Sequence, residues 1–225
     1  MQNDKRNLLR NIVAGLGLGA VTAASRTSPA SALEKSSPVL EPQDRWLDEL
    51  GRRHRQAFDT ISSEGVARAL TFAHTFYAAN RDGYGIQPDE LGVLMIFRAG
   101  STAFGFNDNI WTKYSGPFAK RYKLVDPVTK SAPVVNIYNA TDRAALLPTN
   151  GLTLDGLGKL GGQFAICSVA SRKLAEAVAE ETGGSGDAIF AELRANTVQH
   201  ARMVPAGIIA VNRAQEQKYA LCYTA

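Results

Sequence analysis

What this chain has little of narrows its chemistry at once. It carries two cysteines in 225 residues, Cys167 and Cys222, far apart and without the C-x-x-C spacing of a dithiol redox centre. H-E-x-x-H, zinc-type cysteine pairs, a P-loop and a G-x-G-x-x-G following a strand are all missing, so no metal and no cofactor is expected. The Gly15-Leu16-Gly17 run lies in the leader and carries no such meaning. Repeats and low-complexity tracts are absent as well, which leaves an ordinary globular composition for one domain.

Charge of one sign is equally scarce. The formal net charge is +4, but residues 1–32 hold Lys5, Arg6, Arg10 and Arg26 against Asp4 alone. The remainder has 21 basic against 20 acidic groups, too even a balance to hold a phosphate backbone, so nucleic acid is not an expected partner.

The chain has no hydrophobic run long enough for a stable membrane anchor. The nearest approach is Ile12 to Ala24, preceded by Lys5, Arg6 and Arg10 and followed by Ala30-Ser31-Ala32. Charged, apolar and small-residue segments in that order form an export signal. Gly15, Gly17 and Gly19 dilute the apolar stretch and Arg26 trails it, as in twin-arginine signals, although the pair here is Lys5-Arg6. Residues 1–32 are therefore expected to be a signal peptide that sends a folded protein to the periplasm. After its cleavage no membrane anchor is expected. Residues 33–53 read as a linker and short helix, and 54–225 as a single domain.

Within that domain, short apolar runs alternate with helical periodicities, the pattern of an α/β sheet. Leu91 to Phe97 is apolar without alternation, which predicts a central parallel strand buried on both faces. Arg98, Gly100 and Ser101 follow it directly. In open α/β sheets ligands collect beyond the carboxyl ends of strands, so these three are candidate ligand-binding residues, with Arg98 positioned to meet an anion. An ordinary surface arginine fits the same pattern. His74, beside the apolar stripe of the helix that starts near Ser63, is a further candidate, against the alternative of a helix-packed histidine. Residues 115–150 contain four prolines and only a short strand-like Val134–Tyr138, and read as an irregular insertion, a lid or an oligomer contact.

The segment Gln163–Ser168 carries the sharpest signal. Phe164, Ala165 and Ile166 form a short buried strand ending at Cys167, and a helix capped by Ser168 or Ser171 follows. A thiol there faces unpaired backbone amides, an environment that favours the nucleophilic thiolate. A small buried residue closing a strand is the competing reading. If Cys167 and Cys222 were bridged, a loop of about 55 residues would close, worth roughly 4 kcal/mol. With the last strand expected two positions from the cysteine strand, about 9–10 Å away, two separate thiols are predicted instead.

Phe164-Ala-Ile-Cys-Ser-Val-Ala-Ser-Arg-Lys173, together with Val204-Pro-Ala-Gly-Ile-Ile209 and Asn212-Arg-Ala-Gln-Glu-Gln-Lys-Tyr-Ala220, resembles the strand-cysteine-helix and C-terminal signature of DsrE/DsrF-like proteins. The likeness covers residues 160–225 best and 54–115 more weakly. It implies a flavodoxin-like, mostly parallel sheet flanked by helices, and a trimer or hexamer. It also implies that Cys167 relays persulfide sulfur between a donor and an acceptor, whether protein or small sulfur compound; Ser168, next to it at the strand end, is a further candidate ligand-binding residue. A non-catalytic small-ligand or protein-binding domain on the same fold is the alternative.

Overall fold

The computed structural model describes residues 41–48 and 52–225. The expected signal segment and much of the expected linker lie outside the described residues.

The sheet is built outward from β2 (Leu91–Phe97), buried at every position as its unbroken apolar run predicts. On one side lie β3 (Gln163–Cys167) and then β4 (Ala201–Val204); on the other lie β1 (His54–Thr60) and then β5 (Ala220–Thr224). The order is β4-β3-β2-β1-β5, and every pairing is parallel. The fold is therefore α/β, a five-stranded parallel sheet flanked by helices and consistent with a flavodoxin-like architecture.

Alternate side chains of a strand face opposite layers, and the two cores divide accordingly. Phe58, Val93, Met95, Phe97, Phe164 and Ile166 pack against α1 (Ser63–Tyr84), α2 (Asp108–Tyr122), α4 (Ser168–Thr182) and α5 (Gly186–Ala195). Ala57, Leu94, Ile96 and Ala165 face the other way, onto α6 (Gly207–Glu216) and the 3-10 turn Pro42–Leu47, which supplies Trp46 and Leu47. Among the described residues that second face is covered by one helix and one turn, the thinner layer of the two. Pro42 stands in the first turn of this 3-10 segment, where its missing N–H costs nothing.

Helix α1 is delimited by chemistry visible in the sequence. The Ser62 hydroxyl accepts the Gly65 N–H at 2.9 Å, and Gly85, at φ 69°, ends it in the left-handed conformation that glycine tolerates. Arg52 and Arg55 tie elements together. Arg52 donates to the Pro88 and Leu91 carbonyls, and Arg55 to the Gln217 carbonyl.

The insertion differs from expectation in two ways. Residues 115–122 belong to α2, which continues through Pro117 with a kink at Tyr114; removal of the proline's hydrogen bond falls where the helix already bends. Val134–Tyr138 forms no strand. Asn136 instead donates to the Phe104 and Phe106 carbonyls at 2.8 and 3.0 Å, and Ile137 and Tyr138 are buried. Helix α3 (Leu154–Lys159) then leads into β3. The segment is a wedge in the larger core, with the Tyr138 ring 4.8 Å from that of Phe104.

Candidate functional site

At the carboxyl edge of the sheet the chain leaves neighbouring strands in opposite directions. From β3 it turns into α4 over one face, and from β4 through Pro205 into α6 over the other. Divergence of this kind opens a crevice between strand ends, the usual ligand position in open α/β sheets. Cys167 and Val204, paired in register, stand on its two sides.

Helix α4 begins one residue earlier than expected, so the N-cap position falls on Cys167 itself, and not on Ser168 or Ser171. Its Sγ accepts the Ala170 N–H at 3.4 Å, while the Ser171 hydroxyl turns back to donate to the Cys167 carbonyl at 2.9 Å. Ser168 is half-buried at the first helical position. The cysteine is 7 % exposed, with its sulfur bonded to a helix amide.

Parity places the rest of the cluster. Cys167 lies two residues from Ala165, Arg98 two from Ile96 and Asp59 two from Ala57, so all three belong to the thin α6 face. Asp59 is buried and accepts two N–H groups of Arg98, from Nε at 2.6 Å and from Nη2 at 2.7 Å. That hydrogen-bonded carboxylate raises the Arg98 pKa above its ordinary value, against a desolvation effect that lowers it, and the Asp59 charge itself pushes it further up. Nη1 has no protein acceptor among the described residues. The Cys167 sulfur thus has a backbone amide at the start of α4 as its partner, and Arg98 follows the end of β2, the strand paired with β3.

The close seat of Arg98 depends on a glycine. A Cβ on Gly207, the first residue of α6, would stand 2.7 Å from Arg98 Cβ and 3.0 Å from its Cδ. Helix α6 thus begins directly over the arginine stem, and its start carries no side-chain cap.

The remaining sequence-chosen residues serve other ends. Ser101 is fully buried: its Oγ accepts the Arg98 N–H at 2.9 Å and donates to the Thr60 carbonyl at 2.8 Å. It shapes the turn after β2 and has no face left for a ligand. Gly100 is required by close approach, since a Cβ there would lie 2.7 Å from the Ile61 carbonyl oxygen. Between them and Arg98, Ala99 is held at φ 51°, a left-handed geometry that costs a residue with a Cβ about 1 kcal/mol. His74 sits half-buried three turns along α1, roughly 16 Å from the helix start at the site end of the sheet, and is not brought to the cluster. Asp59, Tyr223 and Gly207 were missed from the sequence. Asp59 alone left a signal, as a carboxylate inside a strand-like run.

Cys222 is far from all this. It packs against the larger core, on the opposite face from Cys167, and β5 lies three strand spacings from β3, about 14 Å. The separation is wider than the two spacings expected, and both thiols are free.

Beside the switch point, a cleft of about 680 Å³ runs along the outer edge of β4, lined by Ser168 and Arg172 of α4, Arg194 of α5, Arg202, Val204 and Trp46, among others. No residue of the insertion lines it. Among the described residues no group of three or more His, Cys, Asp or Glu side chains could hold a metal ion, and no helix is long and apolar enough to cross a membrane.

Compared with known proteins, the chain matches no family model, no curated protein and no solved structure.

Proposed function

We propose that this protein is a persulfide carrier of the DsrE-like type, working in the periplasm after twin-arginine export, with Cys167 as the sulfur-accepting residue. The observation that carries the reading is the bond from Ala170 N–H to Cys167 Sγ at the head of α4, with Arg98 just beyond the end of the neighbouring strand β2. In the proposed step the Cys167 thiolate attacks the outer sulfur of a sulfane donor such as thiosulfate. The new S–S bond forms as the donor's S–S bond breaks, sulfite leaves with the electron pair, and Cys167 carries the persulfide anion. Charge is conserved on both sides, and the Ala170 amide that bonds the sulfur stays beside the persulfide. Handing the sulfur to an acceptor thiolate reverses the same exchange.

The 7 % exposure of Cys167 favours a second reading, a non-catalytic binding domain in which the thiol is a packing residue and helix cap. Mass spectrometry of the purified protein after exposure to thiosulfate or polysulfide separates the two. A gain of one sulfur atom on Cys167, lost in Cys167→Ala and kept in Cys222→Ala, supports the carrier. An unmodified Cys167 under every donor refutes it. The trimer or hexamer that goes with this reading is measured by light scattering on the same sample.

A further inference from the structure

We propose that the cleft along the outer edge of β4 is a binding site for a small organic polyanion bearing phosphate or carboxylate groups. The inference rests on the cleft alone and requires no reactivity of Cys167. Four cationic side chains line it, Arg172 and Lys173 from α4, Arg194 from α5 and Arg202 from β4. Two of its carboxylates do little to neutralise them. Asp44 is buried and lies 3.5 Å from Arg213, and Glu176 is a single exposed charge.

Their pairing is the second observation. Lys173, Arg194 and Arg202 meet no carboxylate among the described residues. Arg172 pairs only with Asp187, at 2.8 Å and with the aspartate side chain 89 % exposed, a contact that water screens. Cations are thus gathered from three elements without the anions that a merely structural cluster would show.

Aromatic rings lie under three of the guanidinium groups, with Arg194 6.0 Å over the Phe190 ring. Arg172 lies 4.2 Å over the Phe190 ring and Arg202 lies 5.3 Å over that of Trp46. Stacking occupies the flat face of a guanidinium and leaves its N–H edge free for a bidentate contact with phosphate or carboxylate. Holding that edge in place before binding lowers the ordering cost of complex formation. A volume of about 680 Å³ falls within the usual range for small-molecule sites, and low-dielectric walls concentrate the field of the four cations.

Isothermal titration of the full chain with inorganic pyrophosphate and with citrate tests this, with uncharged triethyl citrate as control. The expected result is saturable binding of one or both polyanions and none of the ester, so that the two arms distinguish phosphate from carboxylate recognition. Arg194→Gln with Arg202→Gln weakens binding by about tenfold or more, because two bidentate donors are lost. Arg53→Gln, a distant exposed charge, leaves it unchanged, and so does Cys167→Ala, which at the same time abolishes any sulfur loading. No saturable binding of either polyanion overturns the proposal. So does equal weakening by Arg53→Gln, which marks a general charge effect, or binding confined to acidic peptides, which marks a protein-docking edge.

Discussion

The Asp59–Arg98 pair makes an asymmetric prediction. The Asp59 side chain is 5 % exposed and that of Arg98 is 27 % exposed. Replacing Arg98 by methionine keeps the stem volume over which α6 begins, yet leaves a carboxylate sealed from water with its two donors gone. Breaking a buried pair in this way costs about 3–5 kcal/mol. Asp59→Ala instead orphans a guanidinium that still reaches solvent and can rehydrate, so the cost falls to about 1–3 kcal/mol. The double variant Asp59→Ala/Arg98→Met buries no lone charge and loses less than the two single changes added together, by roughly 2 kcal/mol of coupling. Urea unfolding of all four proteins, followed by tryptophan fluorescence and by circular dichroism, measures these differences against a total stability of about 5–15 kcal/mol. Additive losses, or a larger loss for Asp59→Ala than for Arg98→Met, would show that burial does not govern this pair. Arg98→Met also slows sulfur loading of Cys167 where Asp59→Ala does not, since only the former removes a cation from the strand end next to β3.

Further measurements reach other parts of the molecule. Gly207→Ala places a methyl against the Arg98 stem and destabilises by about 1–3 kcal/mol through overpacking, read as a fall in the urea midpoint; no change means that α6 shifts freely. Gly65→Ala is more damaging than Gly207→Ala, because the added Cβ would meet the backbone oxygen of Thr224 at 2.5 Å and its carbonyl carbon at 3.0 Å, so that β5 itself must shift. Burial pushes the Tyr77 hydroxyl up to about 12 from 10.0. Its contribution to stability is complete below about pH 10 and is lost as pH rises through about 12, a total of roughly 2–3 kcal/mol, and Tyr77→Phe flattens that part of the alkaline unfolding profile. Glu192 behaves in the opposite sense. The Lys113 and Tyr114 hydrogen bonds hold its carboxyl below the usual value, so its stabilising effect is present at neutral pH and fades as the medium turns acid, a slope that Glu192→Gln removes.

Local signals decided the elements of this fold. An unbroken apolar run made β2 a central parallel strand, Ser62 and Gly85 bounded α1, and Gly183 ended α4, because caps, periodicity and burial of a whole strand depend on residues close in sequence. The same reach identified Cys167 as the residue at a strand end facing a helix. Helix α4 begins at Ser168, earlier than a cap on either serine would place it, enough to turn the cysteine from a neighbour of the cap into the cap. Tertiary structure decided what those residues meet. Asp59, Arg98, Cys167 and Tyr223 come from four strands, and only the order of the strands and the parity of each sets them on one face. Ser101 and Gly100 shared the strand-end position of Arg98 but were consumed by the turn itself, through contacts to Thr60 and Ile61 that lie about 40 residues away in sequence. The cationic cleft could not be foreseen from a nearly even charge balance, since composition counts charges and only folding gathers four of them beside two aromatic rings.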